Sequence, residues 1–331
     1  MKIQLGHNLE EVISVENLLE ACREFLRGKR AKRDAQEFSL RLMDNIFSLH
    51  NDLRNLTYKH GSYQAFKIND PKPRDIHKAS VRDRLLHHAI YRKLYPFFDR
   101  VFIADSFSCR IDKGTHKALN RFRAFAYKVS QNNTKTCWIL KCDIKKFFAS
   151  IDHDDLKEIL ESYVADKNIL WLLGEVIDSF HSSEPGKGLP LGNLTSQLLV
   201  NVYMNEFDQF VKHKSGVKYY IRYADDFVLL SGNRKELEEK VEPIKDFLKN
   251  RLKLEAHENK VYIKTLASGV DFLGWVHFPD HRVLRTKTKR RMFKRIMARP
   301  TSETINSYLG LLKHGNARNL TSHIPLPCFR G

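Results

Sequence analysis

The chain has 331 residues, 42% of them hydrophobic, which is enough for two or three domains with a substantial core and excludes a disordered chain. Lys and Arg total 57 against 39 acids, a formal net charge of +18 spread along the whole chain, so a polyanionic partner is expected and nucleic acid fits best. The five scattered cysteines (Cys22, Cys109, Cys137, Cys142 and Cys328) have no CxxC or Cys/His spacing, which excludes a zinc ribbon. With no membrane-length apolar run and no signal-peptide core at the N-terminus, a cytoplasmic protein with reduced thiols is expected.

In chain order, residues 11–26 have helical periodicity, with Val12, Val15, Leu18, Leu19 and Cys22 apolar. A basic elbow, Arg27 to Arg33, separates them from a second helix over about 35–54, with Phe38, Leu42, Ile46, Leu49 and Leu53 on one face. Residues 61–80 read as strand and turn around Pro71-Lys72-Pro73-Arg74, and helices follow at about 82–97 and 115–129. Residues 137–144 read as a buried strand ending in an acid, and 154 to about 180 as helix. The turn Pro185-Gly186-Lys187-Gly188 leads into a long helix over about 193–212. Two strands, Val217–Arg222 and Phe227–Leu230, flank Tyr223-Ala224-Asp225-Asp226. A helix over about 234–252, short strands to about 284 and a very basic helical segment from Lys287 complete the order. The expected class is α+β.

Two adjacent acids at the tip of an apolar hairpin are costly to desolvate unless a cation compensates them, and a divalent metal is the natural one. A two-metal site needs several carboxylates converging on ions roughly 3.5–4 Å apart, so Asp225 and Asp226 need a third. Asp143, ending Trp138-Ile139-Leu140, is the best candidate, and the carbonyl of Ile144 is a further metal ligand. Asp152, Asp154 and Asp155 compete, but they open a helix, where N-terminal capping explains them better.

Four segments then occur in an order that resembles reverse transcriptases: Asp143-Ile144-Lys145-Lys146-Phe147-Phe148, Gly188-Leu189-Pro190-Leu191-Gly192-Asn193-Leu194-Thr195-Ser196-Gln197, Tyr223-Ala224-Asp225-Asp226, and Gly269-Val270-Asp271-Phe272-Leu273-Gly274-Trp275. The resemblance implies a right-hand polymerase: an N-terminal helical extension (1–60), fingers (61–136), a palm with an antiparallel sheet and packed helices (137–284, with a fingers insertion at about 156–186) and a helical thumb (285–331). It implies Asp143, Asp225 and Asp226 as the catalytic metal triad for two Mg²⁺ ions, with Mn²⁺ as a substitute. Phe148 resembles the steric gate that selects deoxynucleotides, and Lys260 resembles a lysine that protonates the pyrophosphate leaving group. Lys72, Arg74 and Arg110 correspond to residues near the incoming triphosphate or template. The last of the four segments resembles the primer grip. Lys287, Lys289, Arg290, Arg291, Lys294 and Arg295 form a cluster suited to an RNA–DNA hybrid.

Many reverse transcriptases have Gln-Gly where this chain has Leu191-Gly192, and Ser-Pro where it has Ser196-Gln197. These departures resemble the enzymes of diversity-generating retroelements, among the group II intron-like bacterial reverse transcriptases. That implies error-prone cDNA synthesis from a template-repeat RNA, in a bacterial or phage-encoded setting, with a small basic helical accessory protein that forms a pentamer. An antiphage-defence reverse transcriptase is the alternative, and a group II intron or retron enzyme fits less well. A non-catalytic RNA-binding protein with a relic palm is disfavoured by the intact acids.

Overall fold

The computed structural model describes residues 3–69 and 73–324. Most expected elements form, but three expected helices are each split in two. The first becomes α1 (Leu9–Ile13) and α2 (Val15–Leu26), because Ser14 leaves the helical region and its hydroxyl caps the Asn17 N–H. The second becomes α3 (Arg33–Leu40) and α4 (Leu42–Arg54), broken where Arg41 takes φ −124° and ψ 46°. Strands β1 (Gln64–Ile68) and β2 (Arg74–Lys78) pair antiparallel and precede α5 (Val81–Val101) and α6 (Thr115–Val129).

Strand β3 (Trp138–Asp143) is followed by the third split helix, now α7 (His153–Glu161) and α8 (Lys167–Ile177). Asp166 caps α8 by accepting from the N–H groups of Asn168 and Ile169. Next come α9 (Leu194–Gln209), ending in a π turn over Phe210–Lys214, and the hairpin β4 (Tyr220–Tyr223) and β5 (Asp226–Ser231). The chain continues through α10 (Arg234–Leu252), β6 (Tyr262–Thr265), β7 (Val270–Phe272), β8 (Trp275–His277) and β9 (Arg282–Leu284). It ends in α11 (Thr286–Ala298), α12 (Ser302–Leu312) and α13 (Arg318–Thr321). No helix among the described residues is long and apolar enough to cross a membrane.

The chain forms two compact units. The first holds Met1–Ala104, Ile144–Lys214 and Lys245–Glu255. In it α5 packs against α2 and α9, and α7 packs against both α8 and α9. The periodic apolar residues read from the sequence make this core: Leu18, Cys22, Ile46, Leu49 and Leu53 are buried.

The second unit holds Asp105–Asp143, Ser215–Ile244 and Ala256–Gly331. Its main sheet is antiparallel in the order β4-β5-β3-β6, and β7-β8-β9 form a second antiparallel sheet. Helix α6 lays Ala118, Phe122, Phe125 and Ala126 on Ile139, Val228 and Leu230 of the main sheet and on Val270 and Phe272 of the second. A further core gathers Trp275, Leu284, Met292, Ile296, Ile305 and Leu312. On α11, Thr288, Met292 and Ile296 face inward, which leaves Lys287, Lys289, Arg290, Lys294 and Arg295 exposed on the other side.

Gly315 has no room for a side chain, since a Cβ there would lie 2.0 Å from Cζ3 of the buried Trp275. Gly315→Ala is therefore expected to lower unfolding stability by about 1–3 kcal/mol through overpacking. Urea denaturation reads this as a lower midpoint, and an unchanged midpoint contradicts the packing.

Candidate active site

The main sheet sets the position of the acids. Strands β3 and β5 are apolar and buried up to their ends, where each closes on a half-buried aspartate. Their register pairs Asp143 directly with Asp226, and directly opposed residues of an antiparallel pair project from the same face with Cβ atoms about 4.5–5.5 Å apart. Asp225 lies in the turn itself. Tyr223 pairs with Asp226, so Ala224 and Asp225 form a two-residue hairpin loop. Such loops need a positive φ at the first position, usually supplied by Gly or Asn. Ala224 takes it at φ 55°, a strain of about 1–2 kcal/mol.

The turn is braced from below by Arg222, a fully buried arginine. Its Nη1 donates to the Ala224 carbonyl at 3.3 Å and its Nη2 to Ser106 Oγ at 3.3 Å. The Arg222 backbone pairs with the strip Asp105–Phe107: its N–H donates to Asp105 O at 3.0 Å, and its carbonyl accepts from Phe107 N at 3.0 Å. Arg110 supports the same strip, donating from Nη1 to Ser106 O at 3.1 Å. Thr115 Oγ1 donates to the Tyr223 hydroxyl at 3.0 Å.

Two lysines compensate the acids. Lys260 Nζ lies 2.7 Å from Asp143 Oδ1, and its turn is tied to β3 by His257 N–H donating to Asp143 O at 2.7 Å. Lys141, only 8% exposed, sits 3.4 Å from Asp226 Oδ2 and donates to the Asp271 carbonyl at 2.6 Å. The Asp271 side chain in turn meets Arg285 Nη1 at 2.8 Å. Asp226 Oδ1 has no hydrogen-bond partner among the described residues. Burial raises the Asp226 carboxyl to about 7; Lys141 opposes that shift, and the charges of Asp143 and Asp225 add to it.

The structure brings the expected Asp143, Asp226 and Lys260 together and adds Lys141 and Arg222, which the sequence pattern did not single out. The available signal was a single cation inside each apolar strand, two residues before Asp143 and three before Asp225.

Among the described residues no three His, Cys, Asp or Glu side chains already form a metal cage. The donor set still suits a hard divalent cation. It offers three carboxylates, one with an orphaned oxygen and a proton held too tightly for an exposed acid, and Mg²⁺ commonly takes one or two carboxylates and completes its shell with substrate phosphates.

The other expected site residues belong to the first unit. Ile144 and Phe147 are buried, while Phe148 is half-buried, edge-on to Phe147 at 5.6 Å, its carbonyl accepting from Leu189 N at 2.8 Å. The Leu191–Asn193 segment is clasped to β2: His77 N–H donates to Leu191 O at 3.1 Å, and Asn193 Nδ2 donates to His77 O at 3.2 Å. Gly192 makes this approach possible, with φ 108° and space so tight that a Cβ would lie 3.0 Å from Ile76 Cγ2. The Leu191 and Gln197 side chains are half-buried, and the Gln197 carbonyl accepts from Asn201 Nδ2 at 3.2 Å. Arg74 is exposed at the start of β2, and Lys72 lies outside the described residues. Asp152 caps α7 as expected by accepting from the Asp155 N–H, and both acids bind Lys253.

An antiparallel sheet with one acid ending a central strand, paired across to a hairpin turn that carries two more, is the palm of a right-hand polymerase. Residues 67–277 match the family "Reverse transcriptase (RNA-dependent DNA polymerase)", and the chain belongs to that family. It is 24% identical over 247 residues to protein YkfC of Escherichia coli, covering 63% of each chain. It is 23% identical over 295 residues to the group II intron-encoded protein LtrA of Lactococcus lactis subsp. cremoris, covering 69% of this chain and 47% of that one. The chain thus spans less than two thirds of these relatives. Its fold resembles that of apo telomerase from Candida tropicalis truncated from the C-terminal domain, with a TM-score of 0.51 at 12% identity over 73% of this chain and 60% of that one.

Because the Asp226 carboxyl is raised to about 7 from 3.8, the folded, metal-free protein keeps a proton that the unfolded chain has released. Its contribution to stability therefore falls as pH rises from about 4 to about 7. Asp226→Asn is expected to leave the melting temperature unchanged near pH 4 and to raise it by about 2–5 °C near pH 8. Equal melting temperatures at pH 8 contradict the assignment.

Proposed function

We propose that the protein is an RNA-directed DNA polymerase that extends a primer by nucleotidyl transfer with two divalent metal ions. The observation that carries this reading is the cross-strand pairing of Asp143 with Asp226 beside the Ala224-Asp225 turn, in a chain of the reverse transcriptase family. Asp143, Asp225, Asp226 and the Ile144 carbonyl would hold the ions, which when bound lower the pKa of the primer hydroxyl and stabilise charge on the phosphates. Lys141 keeps Asp226 in place from the protein side. Lys260, at the edge of the acids, is suited to give a proton to departing pyrophosphate. Phe148 excludes the 2′-hydroxyl by bulk. Lys72, Arg74 and Arg110 are assigned to the triphosphate or template, and the exposed cations of α11 to the phosphates of an RNA–DNA hybrid.

We assign residues 1–60 to a helical extension, 61–136 to fingers, 137–284 to the palm and 285–331 to the thumb. Within the family we favour an error-prone enzyme of the diversity-generating retroelement type, cytoplasmic and bacterial or phage-encoded. It would copy a template-repeat RNA with a small pentameric accessory protein, using Mg²⁺ or Mn²⁺. Leu191 and Gln197 support this reading. An apolar Leu191 offers no hydrogen bond where many relatives have an amide, and a missing polar contact weakens discrimination.

Asp143→Ala and Asp225→Ala should each lower metal-dependent dNTP incorporation on an RNA template by on the order of a thousandfold or more, with melting temperatures retained. Primer extension that survives in either variant refutes the site. Leu191→Gln should change the misincorporation spectrum, with the largest change at template adenines. Identical spectra in sequenced products remove the case for the error-prone type and leave a defence-associated enzyme as the better subtype.

A further inference from the structure

The second unit also contains a cavity of about 410 Å³ between α6, the β8–β9 turn and the segment that follows α12. Phe122 and Leu266 form its apolar side, and Arg123, His277, Arg282 and Lys313 its polar side. Leu266 fixes its position relative to the acids. Its N–H donates to Cys137 O at 2.8 Å, beside the first residue of β3, whereas Asp143 is the last. Six strand residues extend about 20 Å, so the Leu266 end of the cavity lies away from the carboxylates, and none of the three acids lines it.

Its charge is one-sided. Among the described residues that line it, Asp280 is the one acid, and its carboxylate is engaged by His281 at 2.8 Å. Arg282 is held in place by neighbouring groups: Nε donates to the His314 carbonyl, Nη2 donates to Asn120 Oδ1 at 3.4 Å, and the guanidinium lies 5.7 Å from the Trp275 ring centre. Its Nη1 is buried and has no hydrogen-bond partner among the described residues. Buried guanidinium donors are normally paired. Burial first, and the Arg123 charge second, hold the Arg282 guanidinium below its usual pKa, so an anion here would relieve both. His277 is 3% exposed and its Nε2 is likewise without a partner. Burial lowers its pKa to about 4, so the ring is neutral near pH 7, and the Phe272 backbone engages the ring. That leaves Nε2 free to accept a proton donor.

We infer that this cavity binds a phosphate group that carries or adjoins a hydroxyl. Arg282, with Arg123 and Lys313 at the rim, takes the phosphate oxygens, and His277 Nε2 accepts from the hydroxyl. A free phosphomonoester has this chemistry, and so does an RNA phosphodiester with its 2′-hydroxyl. The volume falls within the range of small-ligand sites. The inference does not depend on the polymerase reading, because no residue of the carboxylate cluster takes part.

The test is hydrogen–deuterium exchange on the full chain, reading residues 276–284 and 313–317, with inorganic phosphate, AMP, a short RNA and the DNA of the same sequence as probes. Arg123→Gln/Lys313→Gln changes only exposed cations and should keep the wild-type melting temperature. His277→Phe tests the acceptor separately. Protection by phosphate or AMP that weakens at least fivefold in the double variant identifies a free-phosphate site. Protection by RNA in preference to DNA, weakened in the double variant and with the preference lost in His277→Phe, identifies an RNA site. No protection by any probe, or equal protection in wild type and double variant, overturns the inference.

Discussion

Placing two carboxylates opposite each other at the end of a buried strand pair opposes folding, and the rest of the second unit holds against that repulsion. Apolar side chains such as Ile139, Leu140 and Phe227–Leu230 are buried, each worth about 1.5–3 kcal/mol. That burial fixes the register, and the register forces Asp143 against Asp226. The repulsion is then managed locally by one lysine for each acid, Lys260 on the exposed side and Lys141 from within the sheet. A buried lysine carries its own desolvation cost, and the Asp271 carbonyl takes up part of it. The hairpin β7–β8 thus serves the acids indirectly, through the backbone of the residue that also binds Arg285.

The legible parts of the sequence were those with strong local signals. Helices α6 and α10 follow their expected spans, because burial of one face determines both. The hairpin was legible because β-branched and aromatic runs bracket a turn, and Asp143 because an acid ending an apolar run is rare. The split helices were not legible. Ser14 and Arg41 interrupt apolar periods that read straight through them, and only a local hydroxyl cap or a single unusual ψ separates one helix from two.

The supporting residues of the site were hidden for a different reason. Lys141 and Arg222 look like ordinary surface cations in a basic chain until the register shows what they face. Their roles depend on pairings between distant segments, such as Arg222 with Asp105–Phe107. The clasp between His77 and the Leu191–Asn193 segment was equally out of reach, because it joins residues whose local patterns have nothing in common. The cavity beside Arg282 draws its lining from four separate stretches of chain.

The order in which the chain supplies these parts bears on its synthesis. Asp143 and Lys260 meet across 117 positions, and between them the polypeptide leaves the second unit to build part of the first before returning. Closing so long an excursion costs chain entropy before any contact repays it. While the chain emerges from the ribosome, β3 therefore waits for β5 with its aspartate uncompensated, and it acquires Lys260 only after both units have received their middle segments. A chain cut short before residue 260 therefore carries all three acids without the lysine that meets Asp143.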